Sequence, residues 1–151
     1  MKVNSYKIQT TTATRYEFDS IGPKGVIKKA VEITALKRTN TFNFGFGDLR
    51  EDGSINDKSE TNNDDLLQVL STVIKIMDEF IDKNPSAILF FQGSTDQRTK
   101  VYQYILKRNF EQFDRKFTIT GISSGDGIPH EVAYDPYAEE IFLAFLITKK
   151  D

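Results

Sequence analysis

Residues 41–48 restrict the fold more than any other segment. Phe42, Phe44 and Phe46 alternate with Asn43, Gly45 and Gly47. A period of two sends successive side chains to opposite faces of a strand. This strand therefore has an aromatic face that must be covered and a face nearly bare of side chains. A half-buried strand needs a second layer against it. The bare glycine face suggests close approach by a packed helix or a ligand.

The second layer is visible downstream. Leu66, Leu67, Leu70, Val73, Ile74, Met77, Phe80 and Ile81 recur at helical spacing, with Gln68, Thr72, Lys75, Glu79 and Asp82 on the other face. Asn62 or Asn63 is the expected N-cap, with Asp64 and Asp65 in the first turn, where the helix dipole favours negative charge. Pro85 ends the helix near Lys83. Residues 96–108 form a second expected helix, with Val101, Ile105 and Leu106 inward and Asn109 as its stop.

The remaining periodic segments read as strands. Residues 15–20 and 26–36 make a hairpin about the turn 21–25, where Pro23 sets φ and Gly22 and Gly25 allow positive φ. A second turn at 38–40 leads to the strand 41–48. Residues 87–92 are apolar throughout, as in a strand covered on both faces. Residues 117–122 form another strand. Residues 140–149 read as a last strand from Phe142, Phe145 and Ile147, although Pro136, Glu139 and Glu140 look like a helix start. Residues 1–13 are a flexible tail or an edge strand, and 51–63 and 123–129 are loops. The order β-β-β-α-β-α-β, closed by a last strand, is an α+β chain with a mixed sheet. It places 87–92 parallel to the first strand, at the sheet centre.

The length of 151 residues suits one domain, 1–151. There is no cysteine, which excludes disulfides, thiolate metal sites and a cysteine nucleophile. The first residues carry no apolar run, so no signal peptide is expected, and no stretch approaches the about 18 apolar residues of a membrane span. A cytoplasmic protein without a membrane partner is the expectation. The net charge of −2 is unevenly spread. Residues 1–50 hold 9 Lys/Arg against 4 Asp/Glu, and 51–96 hold 3 against 10. A basic first third suits an anionic partner, and ordinary solvated strand faces have the same composition.

Four groups of residues can carry chemistry. Gly93, Ser94, Thr95 and Arg98 lie where a buried strand runs into a helix, with Tyr102 one turn further on. Free N–H groups in a first helical turn attract anions, and Arg98 can make a bidentate phosphate contact. Ser94 and Gln97 also form a capping box, which accounts for the same residues structurally. The turn lacks the lysine and long glycine loop of a Walker motif. Lys24, Lys28 and Lys29, with Lys100 among Tyr102 and Tyr104, supply the basic and aromatic residues of single-strand nucleic-acid binding. Asp19, Asp64, Asp65 and Asp96 are an acidic set suited to divalent metal, or simply to helix first turns. His130, the only histidine, follows Pro129 with no nucleophile nearby in sequence. No G-x-S-x-G or H-E-x-x-H pattern is present.

Two resemblances follow. Gly22-Pro23-Lys24-Gly25, Asn62-Asn63 before the first long helix, and Gly93-Ser94-Thr95 with Arg98, Thr99 and Tyr102 resemble a family of short, functionally uncharacterised bacterial proteins of about this length. At fold level, Phe18-Asp19-Ser20, Thr61-Asn62-Asn63 and the strand running into Gly93-Ser94 resemble the ribonuclease H-like fold. That likeness implies two Mg²⁺ held by carboxylates at these places. Asp19 matches the first-strand acid and Asp65 lies near the helix acid. Gly93 stands where an acid is expected, and Asp96 comes three residues later. The leading expectation is a non-catalytic module that binds a phosphate-bearing ligand or nucleic acid at the turn 93–98, with no cofactor. The alternatives are a protein-interaction module of a paired bacterial system and a divergent Mg²⁺-dependent nuclease.

Overall fold

In the computed structural model of the protein, the described residues are 4–56, 63–93, 95–125 and 127–150, without the side chains of Gln97, Arg98 and Val101. They form β1 Gln9–Thr12, β2 Arg15–Gly22, β3 Gly25–Ala35, β4 Thr41–Leu49, β5 Ile55–Asn56, α1 Leu66–Lys83, β6 Ile88–Phe91, α2 Asp96–Arg108, α3 Phe110–Lys116, β7 Phe117–Ser123, β8 His130–Ala133 and β9 Ala144–Lys149. This is an α+β fold with a mixed sheet, in the order β1-β2-β3-β4-β6-β9-β7-β8 and with β5 on β4. No helix among the described residues is long and apolar enough to cross a membrane. The chain divides into two compact units: Met1–Thr34 with Gly45–Lys83, and Ala35–Phe44 with Asn84–Asp151.

The first unit is built on the hairpin β2–β3, paired antiparallel from Arg15↔Glu32 to Gly22↔Gly25. Gly25 closes the turn at φ +89°. Tyr16, Phe18 and Ser20 of β2 and Val31 and Ile33 of β3 are buried on one face. Val73, Ile74, Ile76, Met77, Phe80 and Ile81 of α1 complete this core. Tyr6 and Phe46 extend it by stacking on either side of Phe18, at 6.0 and 6.2 Å. Two expectations for α1 change. Leu66 and Leu67 are exposed. Thr72, assigned to the polar face, is buried because its hydroxyl accepts the Tyr6 N–H at 2.8 Å and donates to the Gln68 carbonyl. The segment 1–13 supplies the edge strand β1, antiparallel to β2. The bare face of β4 is approached by its own neighbour: a Cβ at Gly47 would meet the Asn56 carbonyl at 2.5 Å.

In the second unit, β6 lies between β4 and β9. It is parallel to β4 through Thr41↔Ile88 and antiparallel to β9 through Leu89↔Ile147. The apolar run therefore does sit between two strands. Its parallel neighbour is the third long strand of the meander, however, not the first, so the ribonuclease H-like order is not the one observed. Asn109 ends α2, and its side-chain N–H donates to the Ile105 carbonyl. Its own carbonyl then receives Gln112 and Phe113, so α3 begins at once where no helix was expected. Residues 130–133, assigned to no element, pair with β7 as β8. The last strand begins at Ala144 rather than at 140. A side-chain Cβ at Gly121 would strike the Phe142 ring, so glycine there lets the aromatic cluster Phe142, Phe145 and Tyr134 close over β7.

Candidate functional site

At the end of β6, Gly93 is tied to the first turn of α2. The Gly93 N–H donates to the Thr99 hydroxyl at 3.0 Å, and that hydroxyl donates to the Thr95 carbonyl at 3.2 Å. Thr99 is buried. The Gly93 backbone N–H is thus engaged by the first turn of α2. Thr95 is exposed. Tyr102 stacks on Phe91 at 4.7 Å, which anchors α2 to β6. Ser94 and the Arg98 side chain lie outside the described residues.

The acids separate by face. Asp65 accepts hydrogen bonds from the Ser20 hydroxyl at 2.5 Å and the Tyr6 phenol at 2.6 Å. It therefore belongs to the inward face of β2. Asp19 is the next residue to Ser20 and projects exposed from the opposite face, across from Lys28. A strand lies between the two carboxylates, so they do not share a metal ion. Asp96 opens α2 in the other unit. Among the described residues, no three Asp, Glu or His side chains come together as metal ligands. Tyr6 has its ionisation pushed above the ordinary phenol value, first by burial and then by its bond to Asp65.

Asn63 has another duty than the expected helix cap. Its Oδ1 accepts the Lys24 N–H at 2.7 Å, and its Nδ2 donates to the Gly25 carbonyl at 2.9 Å. A Cβ at Gly22 would collide with the Asn63 carbonyl. The turn glycine and the asparagine thus lock the hairpin to the start of α1. Asp64 takes φ +57° to make that junction. Asn62 lies outside the described residues.

The basic residues belong to both units. Lys24 and Lys28 are exposed in the first unit and Lys100 in the second. Lys29 alternates to the inward face, where it is 5% exposed and its ammonium meets Asp48 at 2.5 Å. It contributes to the core of the first unit and not to an accessible basic stripe. His130 is exposed on β8, with its ring nitrogen at 2.9 Å from the Ile128 carbonyl.

Sequence reading missed a surface in the second unit. His130 is the register partner of Ser123, and the Ser123 hydroxyl is held by the Glu140 carboxylate. Gln103 of α2 fixes the same segment, donating to the Glu140 carbonyl at 2.6 Å and accepting the Phe142 N–H at 3.0 Å. The Gln103 contacts hold the segment that carries Ile141, 59% exposed, and the Ser123↔His130 register sets Ile128, 72% exposed, two residues before the start of β8. Asp135 and Glu139 are exposed on the segment leading to Ile141. The isolated Ile in a loop rich in Gly, Ser and Pro was the available signal.

Fold and site together define an α+β protein with a mixed sheet, a hairpin locked to its helix, and exposed aliphatic side chains near the Ser123 end of β7. The chain belongs to a family of unknown function, DUF6934, whose model matches residues 2–150. This is consistent with the uncharacterised family of about 150 residues expected from the motifs. No curated protein and no solved structure matches the chain.

Proposed function

We propose that the chain is a non-catalytic module that binds a protein partner through the aliphatic surface at the Ser123 end of β7. The observation that carries this reading is the exposure of Ile128 and of Ile141, the latter on a segment held by the Ser123–Glu140 and Gln103 contacts. A large apolar side chain exposed to water gains on burial against an apolar partner. Exposed Asp135 and Glu139 suit a partner whose own apolar patch has a basic rim.

The test compares wild type with the Ile128→Glu/Ile141→Glu double variant as bait. A retained protein counts when the purified pair re-forms and the variant, with unchanged melting, weakens it by at least about tenfold. Equal retention by both baits overturns the reading. The same preparation titrated with short DNA and RNA at several salt concentrations tests the phosphate alternative expected at the turn 93–98. Tight binding that falls steeply with salt restores that alternative.

A further inference from the structure

The outer face of the β2–β3 hairpin is complementary to itself. Residues directly opposite in an antiparallel pair project from the same face. Along this face the pairs are Arg15–Glu32, Glu17–Ala30, Asp19–Lys28 and Ile21–Val26. Two pairs are opposite charges, and the pair nearest the turn is aliphatic, with Ile21 60% and Val26 61% exposed. Arg15 is held by Glu17 at 3.1 Å, by Glu32 at 3.3 Å and by the Gly53 carbonyl at 2.6 Å. The accessible part of the face is therefore the Asp19–Lys28 and Ile21–Val26 rows.

Consider a two-fold axis along the hairpin, midway between its strands and just above this face. Rotation places β2 of one copy over β3 of the other and keeps strand direction. Each side chain then faces the second copy of its own register partner. Ile21 meets Val26, and Asp19 meets Lys28. A face whose cross-strand pairs are complementary is complementary to itself under this rotation, which is the condition for an isologous contact. Aligned face-to-face sheet packing, about 10 Å apart and within about 30°, is the matching geometry. We propose that this face docks on a second copy of the chain. All of these residues belong to the first unit, and none belongs to the surface around Ser123.

The test uses the full chain in sedimentation velocity over a concentration series. Asp19→Lys and Lys28→Asp are exposed changes, with folding checked by thermal melting. Each single variant sets like charges across the axis and is expected to weaken self-association at least about tenfold. An equimolar mixture of the two variants is expected to restore a dimer, because each lysine pair then faces an aspartate pair. A wild type monomeric at all concentrations overturns the proposal. So does a mixture that associates no better than either variant alone.

Discussion

At the scale of single residues, position within the strand period decides what a polar group does. Lys28 and Lys29 are neighbours in sequence, yet one faces solvent and the other sits beside Asp48 in the core. A lysine run is legible in the sequence, but which lysine turns inward depends on register. Tyr16 is a sharper case. Its ring is fully buried, and its hydroxyl has no hydrogen-bond partner among the described residues. Burial, followed by the charge of Glu79, pushes its ionisation above the ordinary phenol value. An unpaired buried hydroxyl costs about 1–3 kcal/mol. Tyr16→Phe is therefore expected to stabilise the protein, by up to about 1–2 kcal/mol, in urea denaturation. A loss of stability would show that the hydroxyl is hydrogen-bonded in solution.

At the scale of elements, periodic patterns located β2, β3, β4, β7 and α1 and an unbroken apolar run located β6, because those segments bury apolar side chains along their length. Elements that bury little left no such trace. β1 is exposed along its length, β5 has two residues, and β8 is exposed at three of its four positions. The start of α1 shows the other gap. Local rules assign Asn63 to a helix cap, but a hairpin 38 residues away claims its side chain. Asn63→Ala leaves the Lys24 N–H and the Gly25 carbonyl without that bond, and Asn63 is itself buried. The expected cost is about 2–4 kcal/mol, read as a lower denaturation midpoint. A loss below about 0.5 kcal/mol, the range of ordinary surface changes, would mean that the lock does not hold the junction.

At the scale of the whole molecule, buried and half-buried phenols link stability to alkali. Tyr6, Tyr16 and Tyr134 all ionise above the ordinary phenol value of 10.0, each chiefly through burial. The folded chain therefore keeps protons that the unfolded chain releases, so this contribution is complete below about pH 10 and is lost as pH rises beyond it. Denaturation midpoints should be lower at pH 11 than at pH 9, and equal midpoints would contradict the linkage. By itself the sequence determined the α+β class, the family resemblance and the faces of its strongest elements, because hydrophobic period is a local property. Strand order, the partners of Asp65 and Asn63, and the exposure of Ile128 and Ile141 were decided only by tertiary structure. Each depends on groups far apart in the chain, and spacing along a sequence carries no distance between segments that meet only when the sheet forms.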